Sequence, residues 1–249
     1  MKILCSDYDG TFNYQGVTAE LRENVAHWRR EGNLFGFVTG RSLDTILKIC
    51  ADDGVVCDFL VCNNGAYVCR FDRTVLFESH CSIEYARPLL DRLFEWGCSF
   101  VGITYSNVAY SIQKEPSALE SGDWKTEKWV CENLPYFTQI NTVFPSFERS
   151  KKVCQKIVQE FGEILTPLQN GICIDIVPIG VNKAQGIRHL IDSFQAKESD
   201  VITVGDNIND EAMIAQFRSY AVQNAVPSIL KLADAVVKDV SDLIQQELE

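Results

Sequence analysis

Histidine is scarce in this chain of 249 residues, which has only His27, His80 and His189. Its ten cysteines include no C-x-x-C pair and no grouping with those histidines. The spacing that builds a structural zinc site, or the partners that activate a catalytic thiol, are therefore missing. Scattered through apolar segments, the thiols read as reduced core-filling residues. No apolar run is long enough to span a bilayer. The first apolar stretch breaks at Ser6 and Asp7, too early for a secretory signal, so a cytoplasmic location is expected. An excess of positive charge is lacking too. With 23 Lys and Arg against 34 Asp and Glu, the formal net charge is −11, which repels nucleic-acid phosphates and anionic lipid surfaces. Neither nucleic acid nor membrane is expected as a partner. Repeats and low-complexity runs are also absent, and the 46% apolar content suffices for substantial cores.

What the chain does have is acid at the ends of apolar runs. Ile3-Leu4-Cys5-Ser6 leads into Asp7-Tyr8-Asp9-Gly10-Thr11, a short strand closed by two carboxylates one residue apart. Side chains alternate along extended backbone, so this spacing sends both acids toward one opening, while Gly10 allows a sharp turn behind them. One acid can attack while the other moves protons. Taken alone, the pattern is also compatible with a strand end whose first Asp caps the next turn. Three later signals weigh against that reading. Leu34 to Val38 runs into Thr39-Gly40-Arg41, where the Thr39 hydroxyl and the Gly40 amide suit an anion. Asn182-Lys183 opens a helical pattern with a lysine, and Val201 to Gly205 ends in Asp206, Asn209 and Asp210. Together they read as a carboxylate nucleophile, a phosphate-binding hydroxyl and lysine, and a metal-binding acid cluster.

In these four motifs and their order the chain resembles the haloacid dehalogenase superfamily of phosphatases, over nearly its whole length. The resemblance implies Asp7 as nucleophile and Asp9 as general acid/base. Thr39, Gly40, Lys183 and Asn209 would bind phosphate. Asp7, the carbonyl of Asp9 and Asp206 would hold Mg²⁺, with Asp210 behind them holding a coordinated water or orienting Lys183. The implied substrate is a small phosphorylated metabolite, a sugar phosphate or similar monoester, hydrolysed through an aspartyl-phosphate. Phe12 and Asn13 depart from the leucines common after the first motif, and Ala184 from a frequent glycine.

Spacing adds the domain plan. Only 27 residues separate Thr11 from Thr39, too few for an inserted domain, whereas 143 separate Thr39 from Lys183. An insertion of about 100 residues, a normal domain size, is expected at 79–180, leaving 1–78 and 181–249 as the catalytic core. Its position resembles the cap of the Cof-like group, the C2B type. The expected fold is thus α/β, a Rossmann-like parallel sheet core with an inserted α+β cap.

In the core, Leu21, Val25 and Trp28 form a helical stripe between Thr18 and Gly32, and Leu43, Ile46, Leu47 and Cys50 another between Ser42 and Gly54. Each follows a motif strand, giving the βαβ rhythm of a parallel sheet. In the insertion, Ser99 to Tyr105 and Val108 to Gln113 read as a hairpin. Ile164 to Gln169 pairs with Ile172 to Val177 across Asn170-Gly171, and Phe147 to Phe161 is helical. Glu115 to Lys128 reads as loop, and Trp124, Trp129 and Tyr136 as packing rather than a substrate surface.

Two other functions are weighed. A sugar phosphomutase shares the first chemical step but needs a second phosphate site in the cap, and no paired-arginine signature stands there. A non-catalytic phosphate or Mg²⁺ sensor tolerates loss of Asp9, which is present.

Overall fold

The computed structural model describes residues 1–113 and 124–249. In chain order, β1 (Ile3–Ser6), α1 (Ala19–Arg30), β2 (Leu34–Val38), α2 (Leu43–Asp53), β3 (Phe59–Cys62), β4 (Tyr67–Arg70) and β5 (Val75–Glu78) come first. They are followed by β6 (Cys81–Ser82), α3 (Ala86–Glu95), β7 (Phe100–Tyr105), β8 (Val108–Gln113), β9 (Trp124–Thr126) and α4 (Glu127–Asn133). Next are β10 (Tyr136–Phe137), β11 (Gln139–Val143), α5 (Phe147–Phe161), β12 (Leu165–Asn170) and β13 (Cys173–Pro178). The chain closes with α6 (Lys183–Phe194), β14 (Val201–Gly205), α7 (Glu211–Gln216), β15 (Arg218–Val222), α8 (Pro227–Leu232), β16 (Ala235–Val237) and α9 (Val240–Leu248). Two compact units result, one of Met1–Phe77 with Asn182–Glu249, the other of Glu78–Val181, each with its own buried apolar cluster.

The first unit is built on a sheet of order β16-β15-β14-β1-β2-β3-β4-β5, parallel from β16 to β3, with β4 antiparallel to β3. Strand β1 is central. It has β2 on one side and β14 on the other, so the winding reverses there, and open α/β sheets gather ligands at the carboxyl ends beside such a reversal. The flanking helices form where the apolar spacing places them. Thr18 caps α1 by accepting the Leu21 amide at 3.1 Å, and Leu21, Val25 and Trp28 are buried. Helix α2 stops at Gly54, whose φ of 67° is left-handed. Phe12, in place of the usual leucine, is buried edge-on to Phe37 with ring centroids 4.8 Å apart. It anchors the first motif from beneath.

Helix α6 approaches the sheet closely. Gly65 has φ 104°, and a Cβ on it would lie 2.2 Å from the Asn182 carbonyl oxygen; one on Gly186 would lie 2.5 Å from the Val61 side chain. Only bare backbone permits this contact, which seats the amino end of α6, and so Lys183, against the turn after β3.

The second unit is a sheet of order β12-β13-β11-β7-β8-β9, antiparallel except for the parallel β8–β9 edge. The β7–β8 hairpin turns through Ser106 and Asn107, with φ of 48° and 72°, the doubly left-handed turn that suits strand twist. The β12–β13 hairpin forms one residue later than expected. Asn170 pairs with Cys173, so the turn is Gly171-Ile172, with Gly171 taking φ 60° at its first central position. The expected loop over Glu115 to Lys128 is corrected from Trp124 onward, residues 115–123 lying outside those described. Trp124–Thr126 is a strand, and Thr126 caps α4 by accepting the Trp129 amide at 3.1 Å. The Thr-Glu pair that starts α4 is a helix-start signal hidden in a polar run. Trp124 packs on Phe100, Trp129 on Tyr110 and Tyr136 on Tyr105, at centroid distances of 6.0, 5.7 and 4.9 Å.

Gly65→Ala is expected to destabilise the protein by at least about 2 kcal/mol through backbone strain and overlap. Gly16→Ala, at φ 100° with nothing within 4 Å of the new Cβ, should cost less. Urea midpoints of the two variants test the difference.

Candidate active site

The sheet register assembles the site. Ser6 is level with Val204 on one side and Phe37 on the other, so Asp7, Asp206 and Thr39 emerge from neighbouring parallel strands at the same end. The Asp7 amide continues the pairing by donating to the Val204 carbonyl at 3.0 Å. Two glycines let the loops touch: a Cβ on Gly10 would lie 2.5 Å from Asp206 Oδ2, and one on Gly205 would lie 2.6 Å from Asp210 Oδ2. Lys183 enters from the amino end of α6, where Asn182 caps the helix by accepting the Gln185 amide at 3.0 Å.

Lys183 is fully buried, and its Nζ donates to Asp7 Oδ1 at 2.6 Å and to Asp210 Oδ1 at 2.5 Å. Both Asp210 oxygens accept hydrogen bonds, because Oδ2 takes the amides of Asp206 and Asn207 at 2.9 and 3.0 Å. Thr11 Oγ1 donates to Asp206 Oδ1 at 2.7 Å. Burial pulls the Lys183 ammonium down, yet the charges of Asp210 and Asp7 win and hold it above its ordinary value. Burial pushes Asp7 up against the pull of Lys183. It also pushes Asp206 up to about 6, with Asp210 adding to the rise and Thr11 opposing it.

Asp7, Asp206 and Asp210 each offer a carboxylate oxygen within 4.8 Å of the others. One ammonium does not balance three carboxylates, so the charge of the cluster suits a divalent cation, and all-oxygen donors suit a hard one. Since both Asp210 oxygens are already engaged, Asp7 and Asp206 are the side chains suited to direct ligation. Asn209 Oδ1 is buried without a hydrogen-bond partner, an orphaned acceptor of the kind that a cation or its hydration water satisfies.

Thr39 is buried. Its amide donates to Val61 and its carbonyl accepts from Asn64, at 2.8 and 2.9 Å, while its Oγ1 accepts the Arg41 amide at 3.2 Å. Gly40 follows it beyond the end of β2. Asp9, by contrast, is exposed, and Arg41 grips it in a bidentate pair at 2.6 and 2.7 Å. The roles of Thr11 and Arg41 were not legible in the sequence. Both sit inside quoted motifs, but which acid each meets depends on strand adjacency. All ten cysteines are free, and burial pushes the Cys69 thiol up to about 12, away from reactivity. Among the described residues no helix is long and apolar enough to cross a membrane.

The profile of the haloacid dehalogenase-like hydrolases matches residues 4–243. The chain belongs to that family. A relative, YkrA of Bacillus subtilis (strain 168), is 25% identical over 245 residues, covering 97% of this chain and 93% of its own. The 5-amino-6-(5-phospho-D-ribitylamino)uracil phosphatase YbjI of Escherichia coli (strain K12) is 23% identical, covering 94% and 89%. Among solved structures, a haloacid dehalogenase-like hydrolase from B. subtilis superposes with a TM-score of 0.85 at 18% identity, covering 98% of this chain and 99% of its own. The subclass IIB sugar phosphatase BT4131 gives 0.80 at 18%, covering 99% of each. At these identities the structural likeness establishes the fold.

A stability measurement reads the electrostatics of the cluster. Asp206 titrates near 6 when folded, against an ordinary 3.8, so the folded state binds more protons between those values and loses stability as pH rises through that window. In chelator, the melting temperature of wild type relative to Asp206→Asn should therefore fall from pH 4 to pH 7. A constant difference would contradict the raised value.

Proposed function

We propose that the protein is a Mg²⁺-dependent phosphatase that hydrolyses a small phosphate monoester through an aspartyl-phosphate on Asp7. The observation that carries this reading is the buried Lys183 ammonium shared by Asp7 and Asp210, with Asp206 beside them at the ends of β1 and β14. A phosphate ester repels anionic nucleophiles, so a carboxylate attacks it only where fixed positive charge is already concentrated. The names of YbjI and BT4131, both phosphatases, support the same activity class.

Each residue has a role. Lys183 orients Asp7 and, with the Thr39 hydroxyl and the Gly40 amide, binds phosphate oxygens. Mg²⁺, held by Asp7, Asp206 and the Asp9 carbonyl, would supply neutralising charge at the phosphoryl group. A carboxylate oxygen of Asp7 attacks phosphorus, and the ester oxygen leaves with a proton from Asp9. Water then attacks phosphorus, Asp9 takes its proton, and the bond between phosphorus and Asp7 breaks. Asp210 positions Lys183 and clamps the backbone of Asp206. To serve as an acid, Asp9 must first leave Arg41, whose guanidinium occupies both of its carboxylate oxygens. The core residues grasp only the phosphate, so discrimination among leaving groups is assigned to the Glu78–Val181 unit.

Asp7→Asn is expected to abolish hydrolysis of p-nitrophenyl phosphate while the far-UV circular dichroism stays unchanged. Near-native turnover by the folded variant would end the assignment. Asp9→Asn should slow turnover by about 10²- to 10⁴-fold. In excess chelator, activity should vanish and return with Mg²⁺ but not with Ca²⁺, whose looser coordination misplaces the attacking acid; full activity in chelator would reject the metal requirement.

A further inference from the structure

The loop after β15 reaches across to both acid-bearing loops. Asn224 Nδ2 donates to the Gly10 carbonyl at 2.8 Å, and two residues later the Val226 amide donates to the Asp206 carbonyl at 2.8 Å. One short segment thus grips the turn that follows Asp7 and Asp9 together with the residue that follows β14. Asp206 is held from three further directions. Its amide donates to Asp210, its Oδ1 accepts from Thr11, and its Oδ2 lies where any side chain on Gly10 would stand.

The Asp9–Gly10 peptide is oriented from both ends. Its N–H donates to the Asn13 carbonyl at 3.1 Å, and because the peptide is trans, the Asp9 C=O points the opposite way. The next peptide is fixed where Asn224 holds the Gly10 carbonyl, and between the two lies the left-handed φ of 82° at Gly10. Without the Asn224 amide, the conformationally free glycine hinge has one restraint fewer, and the Asp9 carbonyl is held only through the bond from the Gly10 amide to Asn13.

We propose that Asn224 is a positioning residue for the divalent cation, setting the Asp9 carbonyl and the Asp206 carboxylate at a fixed separation through the 224–226 strut. This rests on the metal reading above. Val226 contributes through its backbone, so Asn224 is the side chain on which the strut depends.

The test is Mg²⁺ binding to substrate-free protein by titration calorimetry, on wild type, Asn224→Ala and Asn224→Asp. The Asp variant keeps size and shape but sets an acceptor against the Gly10 carbonyl. Both variants should bind Mg²⁺ about 10- to 100-fold more weakly, the range for partners that orient ligands, with Asp no better than Ala. The Mg²⁺ concentration giving half-maximal p-nitrophenyl phosphate hydrolysis should rise equally, while KM measured at saturating Mg²⁺ stays within about two-fold. Melting in chelator confirms folding, and the near-isosteric Asp variant stands in should Ala not fold. Mg²⁺ affinity unchanged in a folded variant would overturn the inference and leave the catalytic reading intact. Absence of Mg²⁺ binding to wild type would overturn both.

Discussion

A single buried ammonium organises the site. Lys183 has no exposed surface, and its charge is compensated by Asp7 on one side and Asp210 on the other. Breaking such an arrangement by removing one member leaves uncompensated charge in a dry interior, at about 3–5 kcal/mol. The lysine therefore ties the site to stability: the contacts that orient Asp7 also hold α6 to the ends of β1 and β14. Asp210 is suited to this because its second oxygen accepts two backbone amides, which keeps it in place.

Close approach is what the glycines provide. Gly10 and Gly205 admit the carboxylates of Asp206 and Asp210, and Gly65 and Gly186 admit α6 to the turn after β3. In each case a Cβ would fall at a distance that real atoms do not adopt. The acids crowd together because the backbone between them is bare, and it is burial, with this crowding adding to it, that raises Asp206.

Much of this was legible in the chain itself. The stripe Leu21-Val25-Trp28 is buried as its spacing requires, as are Leu43, Ile46 and Cys50 of the second stripe, with Leu47 partly buried against the core, and the parallel α/β core follows from strands alternating with those helices. What the sequence withheld depends on register and on partners distant along the chain. Arg41 stands beside Thr39 in the sequence, yet its partner is Asp9, 32 residues away. Asn224 meets Gly10 across 214 residues. The parallel pairing of β9 with β8 was hidden because Trp124–Thr126 is short and polar in its surroundings. The β12–β13 turn shifted by one residue because Gly171, rather than the Asn170-Gly171 pair, supplies its left-handed position.

The position of β1 in the sheet also dictates how the chain must assemble. Its neighbour β2 is 31 residues downstream, counting Ile3 to Leu34, but on the other edge Ile3 pairs with Val201. During synthesis this fully buried strand of the core carries an open edge until the whole of the Glu78–Val181 unit has been made. That unit can collapse around its own apolar cluster in the meantime, shortening the effective loop that must close before β14 can dock. An insertion that folds early thus acts as a tether, drawing the two halves of the core together and limiting the time for which the unpaired edge of β1 is available to other chains.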